Sequence, residues 1–136
     1  MGSTNYFNTL IEIAEDCPAK EGEMPPIKGE KQSVANLQFE MLYENPYEFT
    51  SDDVLFTVFA TRKEIPQREL EDQRVVYFSK GQPCFRASPL TKRYGWGVHS
   101  NAEGKVAMFG AETKEYQQLV ADEAIVKKKA MRSKRK

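Results

Sequence analysis

Two groups of side chains in this sequence could do chemistry, and the first is a thiol with an imidazole. Cys84 and His99, the only histidine, stand fifteen positions apart. A thiol activated by an imidazole base is the pattern of thiol catalysis. The neighbours of Cys84 are Pro83 and Phe85 rather than small residues, and small buried cysteines are common. Cys84 and His99 are therefore the alternative, catalytic candidates.

The second group is basic and aromatic. No acidic residue occurs from Gln73 to Ala102. The candidate ligand-binding residues in this span are Arg86, Lys92, Arg93, Tyr94, Trp96 and His99. Cations beside aromatic rings suit a phosphate backbone with stacked bases, and they also suit a small anionic ligand through charge-assisted hydrogen bonds. The alternative is a solvated basic surface over a buried aromatic core.

The sequence offers little support for a metal or a cofactor. One histidine and two distant cysteines, Cys17 and Cys84, lack the close ligand spacing of a zinc site. The glycines at 95 and 97 flank a tryptophan and do not form a phosphate-binding loop. We therefore expect no metal site and no cofactor, and the residue pattern favours binding over catalysis.

Hydrophobic periodicity predicts the elements that must position these residues. Strands are predicted over residues 6–13, 54–61, 96–100 and 105–109, and helices over residues 33–44, 66–80 and 113–122. The nearly continuous apolar run at 54–61 favours a central strand, with a buried helix as the alternative. We interpret Asp52 and Asp53, which precede it, as residues that cap this element rather than as a metal or base site.

The last two predicted strands form a hairpin around a four-residue turn at 101–104. This turn length places Val98 opposite Ala107 on the face that we expect to be the core. His99 then lies on the other face, under a helix or beside a pocket. A register slip of one residue would exchange these faces. The alternative ligand pocket is expected between this hairpin and the loop at 20–31.

The element order β-α-β-α-β-β-α predicts an α+β fold in a single domain. We expect a three- to four-stranded, largely antiparallel sheet with about three helices on one face. The domain is assigned to residues 1–122, followed by a basic tail at 123–136 that is helical at its start. The tail holds seven Lys or Arg against one Glu, whereas the rest of the chain holds 13 cations against 19 carboxylates. Such charged blocks often bind polyanions.

Location follows from what the sequence lacks. The N-terminal residues show no basic segment followed by an apolar one, which a secretory signal requires. No run approaches the length of a membrane span. Two cysteines do not make a disulfide framework. We expect a cytoplasmic protein without membrane contact, and the oligomeric state stays open.

Four segments carry a family resemblance: YFNTLIEIAEDCPA, VANLQFEMLYENPY, TSDDVLF and SKGQPCFRASPLTKRYGWGVHSNAEGKVA. Together they resemble a family of small bacterial proteins of unknown function, the domain-of-unknown-function family 6157. The resemblance covers nearly the whole chain. It implies a bacterial source and a single domain, and it brings no activity, cofactor or active-site residue.

Two functions from different classes remain. The sequence favours a binding module for an anionic partner, either nucleic acid or a phosphate-bearing ligand, that uses the basic and aromatic surface and the tail. The alternative is a small-molecule enzyme or ligand-binding protein with a pocket near Cys84, Arg86 and His99. The acidic body argues against a dedicated nucleic-acid domain, which is usually basic overall.

Overall fold

A four-stranded mixed sheet lies at the centre of the structure, a computed structural model that describes residues 3–133. The strands are β1 (Thr9–Glu12), β2 (Trp96–Ser100), β3 (Val106–Gly110) and β4 (Val126–Lys129). Their order is β3-β2-β1-β4, with antiparallel pairs except for β1 and β4, which are parallel. The predicted α+β class and strand number are confirmed.

Five α-helices accompany the sheet, rather than about three. They are α1 (Val34–Glu44), α2 (Ser51–Arg62), α3 (Leu70–Tyr77), α4 (Pro89–Lys92) and α5 (Lys114–Ala121). Short 3₁₀ turns at Gln67–Glu69 and Phe85–Ala87 precede α3 and α4. The segment before β2, predicted to be irregular, thus contains a short helix that Ser88 caps by accepting a hydrogen bond from the Leu90 amide. The predicted helices at 33–44, 66–80 and 113–122 correspond to α1, α3 and α5.

The predicted strand at 54–61 is wrong, because this run forms α2. The local signal is a capping box in which the Thr50 and Asp53 side chains each accept a hydrogen bond from the other residue's backbone amide. Asp52 and Asp53 also lie in the first turn, where the helix dipole favours carboxylates. The helix is buried on more than one side, so its sequence has no clear polar face. Asp53 therefore takes part in the cap of α2, whereas the Asp52 carboxylate accepts hydrogen bonds from Ser3 and Thr4.

The hairpin has a different register from the predicted one. Val98 pairs with Met108 rather than Ala107, because the loop holds five residues instead of four. The Asn101 side chain accepts hydrogen bonds from the Glu103 and Lys105 amides, both at 2.9 Å, and so extends the loop. The slip moves Met108 to the core face and Ala107 to the opposite face.

Helices cover both faces of the sheet, not one. On the first face, Ile11 and Val98 pack into one core with residues of α1, α2 and α4. On the second face, α5 covers the sheet, and its Tyr116 ring lies over Gly97. The Tyr116 hydroxyl accepts a hydrogen bond from the Ile13 amide at 3.1 Å. The two faces therefore carry separate sets of side chains.

The helix expected to continue past residue 123 is absent from that part of the described chain, because Val126–Lys129 forms β4. The Val126 amide donates to the Asn8 carbonyl and the Ala130 amide donates to the Glu12 carbonyl, so β4 is held along the whole of β1. The sheet thus includes four residues of the segment predicted to be a tail. Residues 134–136 lie outside the described part of the chain.

No helix within residues 3–133 has the length and apolar character needed to cross a membrane.

Replacing Gly97 with alanine is expected to destabilise the fold. A Cβ at this position would overlap the Tyr116 ring and come within 3.3 Å of the Ile11 carbonyl oxygen. Overpacking of this kind lowers the free energy of unfolding by about 1–3 kcal/mol. Urea denaturation measures the change. Gly81→Ala is the matched control, since a Cβ there meets nothing within 4 Å, and equal stability of the two variants would contradict the prediction.

Candidate functional site

Trp96 and Tyr94 hold the long loop before α1 in place. The Trp96 indole donates a hydrogen bond to the Glu23 carbonyl at 2.8 Å, and the Tyr94 carbonyl accepts one from the Glu23 amide at 2.8 Å. The Trp96 ring also contacts the edge of the Phe39 ring, with centroids 5.6 Å apart. Both residues therefore stabilise the conformation of this loop.

The cations predicted to join them lie on other elements. The Arg86 guanidinium donates through Nε to the Lys129 carbonyl at 2.8 Å, and the Arg86 carbonyl accepts from the Met131 amide. Arg86 thus links the turn before α4 to the end of β4. Lys92 is partly buried and Arg93 is exposed at the end of α4.

His99 lies on the sheet face opposite Trp96. Its Nδ1 is 2.8 Å from the Tyr47 hydroxyl, and the two rings meet edge to face. Burial lowers the pKa of His99, and the Asp122 carboxylate opposes this shift by raising the pKa. Tyr47 has a φ of 60°, a left-handed conformation that is costly for a side chain of this size. Because Trp96 and His99 face opposite sides, the six predicted binding residues do not form one surface.

Cys84 lies on the face of the sheet that α1, α2 and α4 cover, and it does not contact His99. Its Sγ is 3.4 Å from the Tyr6 hydroxyl and accepts a hydrogen bond from the Arg86 amide at 3.4 Å. Burial raises the pKa of Tyr6, and the hydrogen bond with Cys84 raises it further. The two candidate catalytic residues thus have separate tyrosine partners on opposite faces of the sheet.

Cys84 lines a cavity of about 490 Å³. It lies between α2, α3 and the segment 80–89, not between the hairpin and the loop at 20–31. Its walls are mainly apolar: Val34, Leu55, Val58, Phe59, Val76, Tyr77, Pro83, Ala87 and Pro89. Two buried polar residues, Gln38 and Ser88, also line it and are hydrogen bonded to each other.

The described lining of this cavity also contains Gln82 and three cations, Arg62, Lys63 and Lys80. The three cations are exposed, and none of the described lining residues is acidic. Lys80 and Cys84 come from the part of the sequence without acidic residues, which therefore forms one wall of the cavity. The cavity therefore combines an apolar interior with positive charge at its solvent-exposed residues.

The helical form of α2 places its cavity residues together. Leu55, Val58, Phe59 and Arg62 stand at positions i, i+3, i+4 and i+7, which share one side of a helix. The strand prediction separated them, and so Arg62 and Lys63 were missed as candidates. The alternative interpretation of this run as a buried helix could have identified them, because helical spacing puts positions 55, 58, 59 and 62 on one side.

Helix α3 closes one side of the cavity, although none of its residues is fully buried. It is attached to α2 by an ion pair of 2.9 Å between Arg74 and Asp53, and by the Tyr77 ring packed 4.7 Å from the Phe59 ring. Burial of Asp53 opposes its ionisation, but hydrogen bonds from Thr50 and the contact with Arg74 lower the pKa of Asp53 overall. The shape of the cavity thus depends on a few contacts between α2 and α3.

Among residues 3–133, no group of three or more His, Cys, Asp or Glu side chains is arranged to hold a metal ion.

Comparison with known proteins gives one match. The model of DUF6157, a family of unknown function, matches residues 1–136, the whole length of the chain. This match confirms the family resemblance carried by the four sequence segments. No curated protein and no solved structure matches the chain.

The half-buried His99 is expected to make stability depend on pH. Its pKa is lowered below 6.5 in the folded protein, so near that pH the unfolded chain binds more protons and stability falls as the pH decreases. His99→Gln keeps a hydrogen-bonding side chain without this titration. Urea midpoints at about pH 7.5 and about pH 5 should therefore fall more in the wild type than in the variant. An equal fall in both proteins would contradict the assignment.

Proposed function

We propose that this chain, which belongs to DUF6157, a family of unknown function, binds a small amphipathic anion in the cavity between α2 and α3. The ligand class is an apolar chain or ring system that carries a carboxylate or a phosphate. The proposal keeps the anionic partner expected from the sequence and puts it near Cys84, in a cavity that differs from the pocket expected between the hairpin and the loop at 20–31.

The lining of the cavity is the observation that carries this proposal. An interior of mainly apolar side chains with a few polar groups is typical of small-molecule sites, whose volumes run from about 300 to about 1,000 Å³. The volume of about 490 Å³ falls in that range. Arg62, Lys63 and Lys80 supply positive charge without an acidic neighbour in the described lining. A neutral apolar ligand would gain nothing from this charge, whereas an anion would.

The length of α2 gives an approximate size for the apolar part of the ligand. Leu55 and Arg62 both line the cavity and are seven positions apart. Seven residues of α-helix rise by about 10 Å. An apolar chain of about this length would extend along α2 while its anionic end lies near Arg62 and Lys63.

Nucleic acid fits the same contacts less well. The Trp96 indole, the ring best suited to stack on a base, holds the Glu23 carbonyl and packs on Phe39. Catalysis by Cys84 also has less support, since the hydrogen-bond partners of its Sγ are a tyrosine hydroxyl and a backbone amide. Neither group is a base at neutral pH.

Titration with decanoate, decyl phosphate and decanamide tests the proposal by isothermal calorimetry below the micellar range. We expect saturable binding of one or both anions and weaker binding of the neutral amide. Arg62→Gln and Lys80→Gln should each weaken anion binding by up to about fivefold, because an exposed ion pair contributes at most about 1 kcal/mol.

Arg68→Gln is the matched control for these variants, since its side chain is 83% exposed and does not line the cavity. It removes the same charge and should leave binding unchanged. Equal affinity for the amide and the anions, or the absence of saturable binding for all three compounds, would refute the proposal. The relative affinities of decanoate and decyl phosphate distinguish a carboxylate ligand from a phosphate ligand.

The thiol in the cavity provides an independent measurement. Cys84 is partly exposed, whereas Cys17 is buried and donates its thiol hydrogen to the Ala19 carbonyl. Iodoacetamide should therefore modify one thiol in the native protein, and Cys84→Ser should abolish this reaction. A bound anion should slow the modification of Cys84 severalfold at saturation. An unchanged rate at a saturating ligand concentration would place the ligand elsewhere.

A further inference from the structure

A second opening, of about 310 Å³, lies between α1 and the loop that precedes it. Its described lining is Met24, Pro25, Ile27, Gln32, Asn36, Phe39, Glu40, Tyr43 and Glu44, and we call it the acidic groove. It contains two carboxylates, and the described lining includes no cation. Asn36 fixes the loop to α1 by donating to the Pro25 carbonyl at 3.0 Å. The groove is therefore a defined surface of negative charge.

Large apolar side chains are exposed in this groove. Met24 is 71% exposed, and Ile27 and Tyr43 are each 64% exposed. The Tyr43 ring stacks on the Phe39 ring with centroids 5.3 Å apart, which keeps it in place. Clustered exposed apolar side chains mark interaction surfaces more often than single ones do.

The complementary surface lies along β4, the last strand in the sheet order. Arg86 contacts the outer edge of this strand at Lys129 and Met131, and the side chains beside these contacts stay exposed. Val126 and Met131 are each 52% exposed in this segment. Lys128 and Arg132 are exposed cations, and the Arg132 guanidinium lies 4.0 Å from the Glu15 carboxylate. We call Val126, Lys128, Met131 and Arg132 the basic edge. Of the eight large apolar side chains exposed in the described chain, five lie on these two surfaces.

We propose that the acidic groove of one molecule binds the basic edge of a second copy of this chain. Both surfaces expose large apolar side chains, and their charges are opposite. The sequence has the same imbalance, since residues 123–136 hold seven cations and one carboxylate while the rest of the chain is acidic. The second copy presents the basic edge without unfolding, because the edge is already exposed while β4 stays paired with β1.

The geometry of this contact determines the assembly. Two different surfaces meet, so the interface is heterologous, and such contacts produce rings or open chains rather than a closed two-fold dimer. A contact that depends on exposed charges is weak, and salt screens it. Association should therefore rise with protein concentration and fall with ionic strength.

Sedimentation velocity on the full chain tests the proposal, from about 10 µM to about 1 mM protein and from about 0.05 M to about 0.5 M salt. We expect the mean mass to increase with concentration at low salt and to return to the monomer value at high salt. A monomer at every concentration in low salt would overturn the proposal. Trp96 emission is a second measurement, because the only tryptophan contacts Phe39 on the floor of the groove.

Charge reversal identifies the two surfaces. The groove variant Glu40→Lys/Glu44→Lys and the edge variant Lys128→Glu/Arg132→Glu should each be monomeric alone. An equimolar mixture should associate again, since the edge variant keeps a native groove and the groove variant keeps a native edge. Restoration on mixing distinguishes a heterologous contact from an unspecific effect of net charge.

The control for the groove variant is Glu71→Lys/Asp72→Lys, which makes the same change in net charge on exposed positions of α3. This control should associate like the wild type. Loss of association in the control, or association that persists in both the groove and the edge variants, would show that other surfaces make the contact and would overturn the proposal.

Discussion

The fold depends on β1, a strand of four residues that pairs on both sides. It joins the hairpin of β2 and β3 to β4, which arrives from the other end of the chain. Its two central side chains point to opposite faces. Leu10 is buried beneath the side of the sheet that α5 covers, and Ile11 belongs to the core with α1, α2 and α4. The two faces of β1 therefore contact different helices: α1, α2 and α4 pack on the Ile11 face, and α5 packs on the Leu10 face.

That assignment decides which residues can act together. Cys84 and the cavity lie with the helices on the Ile11 side, whereas His99 lies on the Leu10 side with Tyr47. The sheet separates a thiol and an imidazole that the sequence places only fifteen positions apart. Residues that are close in sequence can lie on opposite sides of a sheet, because successive side chains of a strand point to opposite faces.

Capping residues mark the starts of the helices more sharply than the apolar pattern does. Ser33 and Thr113 cap α1 and α5 by accepting hydrogen bonds from the Asn36 and Tyr116 amides. The run at 54–61 does not show helical periodicity because α2 contacts α1 on one side and α3 on another, so its apolar residues do not keep to one stripe. The hairpin register depended on one side chain, Asn101, whose two hydrogen bonds lengthen the loop by a residue. No periodicity in the flanking strands contains that information.

The acid-free stretch supplies Lys80 and Cys84 to the cavity, but no pattern within it indicates where the cavity lies. Phe85 is buried, Tyr94 and Trp96 hold the loop before α1, and the cations lie on separate elements. Lys80 reaches the cavity, while Arg86 is held at β4 by the Lys129 carbonyl. The remaining cavity cations, Arg62 and Lys63, lie outside that stretch and approach it only because α2 is a helix.

A net charge of zero therefore conceals a protein with separated charges. Positive side chains border the cavity between α2 and α3, negative ones border the groove on α1, and a second positive surface lies along β4. Electrostatic attraction between exposed groups acts over about 10 Å at moderate ionic strength. A ligand or a second copy thus responds to the local surface rather than to the total charge. The two proposed contacts use different surfaces, so anion binding by the cavity and self-association through the groove are independent proposals.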